Sequence, residues 1–204
     1  RIAAGEMPAF SVVAAAITKM QQKHPQVRCH FMSVTADVAA QNLRLGLADL
    51  AVFSAGADLT GFESLPLPKA VRWGVLTARN GALKDKTAIT AKELKELNVF
   101  LPARFSDEEA GAFAGWAGYS MDEIDCCGTY NLLYNAALAV RQGAKALCIE
   151  GIVAEDDEVR FVPLTPEITY AGAVSWLATR RQSALLTALL EEIKEEIALQ
   201  TSAL

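Results

Sequence analysis

The stretch Leu43-Arg44-Leu45-Gly46-Leu47-Ala48-Asp49-Leu50-Ala51-Val52 decides the fold. An apolar helix face ends at Gly46, a residue suited to the left-handed turn that stops a helix, and Leu50 to Phe53 then read as a buried strand. Upstream, Thr35 is placed to cap that helix and Asp37 suits its positive end. Val38, Ala39, Asn42 and Leu43 share one face. Val27 to Phe31 carries β-type residues and is expected as a strand. Before it, Pro8 can open a helix whose stripe is Val12, Val13, Ala16, Ile17 and Met20, and Pro25 stops it. Arg1 to Ala4 reads as a short first strand, so the order is β-α-β-α-β.

The same order recurs. Val99 to Leu101 is a short strand, and Glu108 to Trp116 is helical with Asp107 as its cap. Ile124 to Cys127 is a strand, and Thr129 caps a helix with the stripe Leu132, Leu133, Ala136, Ala137 and Val140. Gly143 ends that helix before a strand at Ala146 to Ile149. Arg44-Leu45-Gly46 before Leu50-Ala51-Val52 thus lines up with Arg141-Gln142-Gly143 before Leu147-Cys148-Ile149. Any βαβ protein can give such a local match, but five elements repeated in order are harder to dismiss. Between the copies, Leu65 to Pro68 is an edge-type stretch and Val71 to Leu76 a strand. After them come strands at Val159 to Leu164 and Thr169 to Ala178. A helix from Ser183 to Leu199 follows, with Leu185, Leu186, Leu189, Leu190, Ile193 and Ile197 on one face. Its residues Glu191, Glu192, Lys194, Glu195 and Glu196 read as a solvated face. Parallel crossovers place ligands outside the carboxyl ends of strands, so two such lobes facing each other predict a cleft at their junction.

Composition bounds the function. The 204 residues are 52% hydrophobic and 21% charged, with a net charge of −5. That length allows one or two domains and a core that needs no disulfide or structural metal. The apolar content excludes a disordered or fibrous chain, and the acidic balance argues against a surface that grips nucleic-acid phosphates. No apolar run reaches the roughly 18 residues that span a bilayer. Arg1-Ile2-Ala3-Ala4-Gly5 does not read as a signal peptide, and a start without Met is expected of an excised or processed piece. Cys29, Cys126, Cys127 and Cys148 lack C-x-x-C spacing. They read as small buried hydrophobes in a reducing cytosol, or, for the adjacent pair, as a redox couple closing an awkward ring.

Gly5 after the first strand, His24-Pro25-x-Val27, Thr35 opening a helix, Leu43-x-x-Gly46-x-x-Asp49-Leu50-Ala51-Val52, Arg72-Trp73-Gly74-Val75-Leu76 and Thr90-x-x-Glu93-Leu94 follow in that order. This order resembles the effector-binding domain of LysR-type transcriptional regulators over nearly the whole chain. The resemblance implies an α/β fold of the type 2 periplasmic-binding-protein kind: two Rossmann-like lobes joined by two crossover strands. One lobe would be residues 1–77 plus 173–204, the other 78–172, with Val71 to Ala78 and Thr169 to Ala178 as the crossings. It also implies a small-molecule effector between the lobes and pairing as a homodimer, or a tetramer in the full-length protein. DNA would be contacted only through an N-terminal winged helix-turn-helix absent from this chain. The resemblance implies a cytoplasmic protein with no membrane contact.

Strand ends nominate effector-binding residues. Gly5-Glu6-Met7-Pro8 leads into a helix start that would attract anions. Members of the family often carry Ser or Thr there; Glu6 instead would repel a carboxylate and leaves room for a polar or cationic group, or is simply solvated. Ser33 and Thr35 end the second strand, Thr35 also reading as a cap. In the second lobe the candidates are Arg104, Phe105, Thr129, Tyr130 and Ile152. Arg104 reads as a carboxylate or phosphate clamp, or as a surface salt-bridge partner. Phe105 and Tyr130 read as walls for an apolar ligand, Tyr130 equally as core.

No cofactor, metal site or catalytic residue is expected. His24 and His30 have no second ligand at metal spacing, and no phosphate loop or nucleophile elbow occurs. Ala103-Arg104-Phe105 is similar to the Thr-Arg-Phe motif of prephenate dehydratases, which share the fold, but Ala103 lacks the hydroxyl. The remaining alternative is a transporter's solute-binding protein of the same fold.

Overall fold

Strand pairing, rather than sequence order, sorts the elements into two sheets. The computed structural model describes residues 1–54, 60–68 and 70–202. The chain divides into two units, Arg1–Ala70 with Ala171–Leu204, and Val71–Tyr170. The first unit begins with β1 (Ile2–Ala4), α1 (Phe10–Lys23), β2 (Phe31–Ser33), α2 (Ala36–Arg44), β3 (Leu50–Ser54) and β4 (Phe62–Pro66). The second contains β5 (Val71–Ala78), β6 (Ile89–Thr90), α3 (Ala91–Lys95), β7 (Val99–Pro102), α4 (Asp107–Ala117), β8 (Cys126–Tyr130), α5 (Leu133–Arg141), β9 (Lys145–Ile149), β10 (Val159–Thr165) and β11 (Thr169–Tyr170). The chain then returns to the first unit with β12 (Gly172–Leu177) and α6 (Ala184–Thr201).

The first unit's sheet has the order β2-β1-β3-β12-β4. β1 runs parallel to both β2 and β3, and β12 antiparallel to β3 and β4. The apolar stripe of α1 is buried as its spacing demands, and α6 lies along α1 with Leu189, Leu190 and Ile193 buried. Three expectations need correction here. The second strand is Phe31–Ser33 rather than Val27 to Phe31, because the preceding residues turn: Gln21 donates to the Val27 carbonyl at 3.2 Å and Arg28 to the Pro25 carbonyl at 2.9 Å. On α2, Ala40 is buried and Val38 is exposed. The acidic face of α6 is not all solvated. Lys19 and Lys23 of α1 form ion pairs with Glu196 and Glu192, and Glu196 is buried.

The second unit's sheet has the order β6-β10-β5-β9-β7-β8, with β11 beside the start of β5. β7, β8 and β9 are parallel, while β5 is antiparallel to β9 and β10. Alternation along the strands feeds two apolar layers. Val75, Leu94, Val99, Leu101, Phe113 and Leu147 fill one; Leu76, Leu133, Ala137, Val140, Ala146 and Phe161 fill the other. The cap of α4 is Ser106 rather than Asp107. Its hydroxyl accepts from the Glu109 N–H at 3.2 Å, and its own N–H donates to the Glu109 carboxylate at 2.7 Å. Thr129 caps no helix: it lies within β8, and Leu132 precedes α5.

The stretch from Thr169 to Ala178 is not one strand. Thr169–Tyr170 pairs with β5, and Gly172–Leu177 pairs with β3 and β4, so the change of partner breaks it at Ala171. All of Val71–Ala78 likewise pairs within the second unit.

Candidate functional site

In the first unit three parallel strands present their carboxyl ends together. The Gly5 N–H donates to the Val52 carbonyl at 2.9 Å and the Val34 N–H to the Ala4 carbonyl at 2.9 Å. The segments Gly5–Pro8 and Ser33–Thr35 are thereby brought to one edge. Glu6 is half-buried and Ser33 exposed. The Thr35 hydroxyl serves the Asp37 carboxylate and not the helix backbone, so its expected capping bond is absent. Met7 is buried, with its sulfur packed where a Cβ on Gly172 would stand, 2.7 Å away. It belongs to the packing beneath this edge.

The second unit repeats the arrangement with β7, β8 and β9. The Ala103 N–H donates to the Tyr130 carbonyl at 2.7 Å, and the Glu150 N–H to the Arg72 carbonyl at 2.9 Å. This ties the loops after β7 and β9 to the ends of β8 and β5. Arg104 is exposed, and Phe105 is half-buried against Trp73, ring centroids 5.7 Å apart. Tyr170 meets Trp73 edge-on at 6.1 Å, completing a trio of aromatic rings at the end of the sheet where β5 begins. Tyr130 donates its hydroxyl to the Leu147 carbonyl at 2.6 Å and packs, like Ile152, against the α5 layer. Both support the edge from behind. Thr129 is exposed on β8.

Arg72, Trp73, Glu150, Glu167 and Tyr170 were missed by reasoning on strand ends. Arg72 binds Glu150 through two parallel hydrogen bonds and Glu167 at 3.2 Å. The Glu150 hydrogen bond, then Glu167, hold the guanidinium charged by raising its pKa above the ordinary arginine value. Arg72 thereby joins two carboxylates from different parts of the chain. Glu150 follows Ile149 directly, so the strand-end rule could have found it. Trp73 and Arg72 sit at the start of an antiparallel strand, where only the register Trp73 to Ile149 places them. Among the described residues, no group of three or more His, Cys, Asp or Glu side chains could hold a metal ion.

The family model described as LysR substrate binding domain matches residues 1–198. The chain belongs to this family.

As a LysR substrate-binding domain it is an effector-sensing regulatory domain, and a transporter's solute-binding protein is not favoured. The family consists of transcriptional regulators, not of enzymes. Solved structures share its α/β fold of the type 2 periplasmic-binding kind. HinK, a LysR family regulator of Pseudomonas aeruginosa, is 17% identical with a TM-score of 0.75, covering 96% of this chain and 69% of its own. A full-length OxyR variant of Pseudomonas aeruginosa is 15% identical with a TM-score of 0.72, covering 94% and 68%. The LysR family regulator CbnR is 15% identical with a TM-score of 0.70, covering 96% and 69%. No curated protein matches the sequence. Among the described residues no helix is long and apolar enough to cross a membrane.

Proposed function

We propose that this LysR-family domain binds a small-molecule effector through the loops at the carboxyl ends of its parallel strands. In the first unit the candidate contacts are Glu6, Ser33 and Thr35. In the second they are Arg104, Phe105, Trp73 and the Arg72–Glu150 pair. Met7, Thr129, Tyr130 and Ile152 shape those loops. The observation that carries this reading is that each unit gathers side chains at the carboxyl end of its parallel strands, polar ones in the first and polar and aromatic ones in the second. The Trp73, Phe105 and Tyr170 rings beside the Arg72–Glu150 pair favour an effector with a flat apolar part and a polar group.

Binding favours one arrangement of the units over another, to the extent that the effector's affinity differs between them. The change passes through a homodimer, or a tetramer in the full-length protein, to a winged helix-turn-helix segment that contacts DNA. The domain acts in the cytoplasm by binding, without turnover and without a cofactor. A thermal-shift screen of carboxylates, amines and aromatic compounds tests this. Stabilisation by one class that is lost in Arg104→Ala or Phe105→Ala supports the site. Stabilisation that survives both changes removes it.

A further inference from the structure

Strict alternation along a strand sends adjacent side chains to opposite faces. β8 breaks that rule at its two adjacent cysteines. Val99 of β7 pairs with Cys126, but the next residue, Phe100, pairs with Gly128. Cys127 is therefore an inserted residue, and the strand bulges there, which re-aims its side chain. Burial follows the bulge. Gly128 lies against the Phe100 ring and Tyr130 against the α5 layer, whereas Cys126 and Cys127 are both exposed. This overturns their expected reading as small buried hydrophobes. β8 is the outer strand of its sheet, so the bulge sits at an edge.

The other two thiols are different. Cys148 is buried, and loss of solvent pushes its thiol up to about 12. Cys29 is half-buried and lies in the first unit. Cys126 and Cys127 are the two exposed cysteines, and they are adjacent in the chain at the bulge. The Cys126 thiol donates to the Gly128 carbonyl at 3.2 Å, a weak bond within its own strand that a stronger ligand displaces.

We propose that Cys126 and Cys127 form a dithiol site that chelates trivalent arsenicals. A direct disulfide is the poorer product. Adjacent Cα atoms stand about 3.8 Å apart, closer than the roughly 4.4–6.8 Å that disulfides span. An arsenic atom between the sulfurs widens the bridge and relieves that mismatch. The reaction balances without an oxidant. Two S–H bonds and the arsenic–oxygen bond break, two arsenic–sulfur bonds form, and the oxygen leaves with both protons as water.

The chain is titrated with phenylarsine oxide while its accessible thiols are counted with a disulfide reagent. Two thiols should disappear per arsenical bound, and 1,2-ethanedithiol should restore both. Cys126→Ser and Cys127→Ser should each weaken binding by at least about a hundredfold, the loss expected when two linked contacts become one. Cys29→Ser should change nothing. Loss of a single thiol per arsenical, serine variants that bind as tightly as the unaltered chain, or dependence on Cys29 would each overturn the proposal.

Discussion

Arg72 grips Glu150 through two parallel hydrogen bonds, Nε to Oε2 at 2.9 Å and Nη2 to Oε1 at 2.7 Å. Both side chains remain open to solvent, at 40% and 38% exposure. A pair so exposed contributes about 0–1 kcal/mol to stability, so its value lies in shaping charge beside Trp73 and Phe105. Glu150→Gln keeps the volume and removes the charge. The unliganded melting temperature should stay nearly unchanged, while calorimetry should show the affinity of the effector found by screening shifted by tenfold or more. An unshifted affinity would take Glu150 out of the site.

Gly74 is required by close approach. A Cβ there would stand 2.3 Å from the Phe161 ring and 2.5 Å from the Val162 carbonyl oxygen, which is fixed in the β5–β10 ladder. Gly74→Ala should cost about 1–3 kcal/mol. Gly111 and Gly115, in the interior of α4, have nothing within 4 Å of the same position. Alanine there should stabilise by about 0.5–1 kcal/mol. Denaturant midpoints at unchanged slope measure all three.

Asp156 governs part of the acid response. A hydrogen bond from Arg141 at 2.6 Å, then the N–H groups of Val159 and Glu158, lower its carboxyl from 3.8 to about 2. The folded state thus holds the carboxylate more strongly than the unfolded chain does. Its contribution is fully present above 3.8 and is lost as the pH falls through about 2. Asp156→Asn should lower stability at neutral pH and flatten the dependence in that window, as followed by thermal unfolding across the acid range.

Lys19 meets a carboxylate that has little other contact with water, since Glu196 is 7% exposed. Its pKa is raised, first by the hydrogen bond to Glu196. Lys19→Ala should lower the melting temperature clearly more than Lys194→Ala, which breaks only an exposed pair with Glu191 on one helix. Equal effects would mean that Glu196 is solvated after all.

Periodicity made the α1 stripe legible, because Val12, Val13, Ala16, Ile17 and Met20 need only one helix and one core to explain them. The strand that opens at Leu50 was legible for the same reason: a glycine stop and an apolar run are local signals. Legibility failed where a residue's role depends on a partner far along the chain. Glu196 looks solvated until α1 brings Lys19 to it. Trp73 looks like an interior strand residue until the register with Ile149 brings it beside Phe105. Thr129 and Cys127 were misplaced because β8 begins later than its apolar residues suggest and carries an inserted residue.

β12 supplies the strand between β3 and β4, and Ser175 bonds Ser64 at 2.9 Å across 111 positions of sequence. The second unit is one uninterrupted stretch, but the first cannot close until this late strand is made. On the ribosome the order of completion is therefore inverted: the unit begun second is finished first. Until β12 and α6 emerge, Val52 and Phe53 face an unfilled gap in their sheet, and the stripe of α1 lacks its cover.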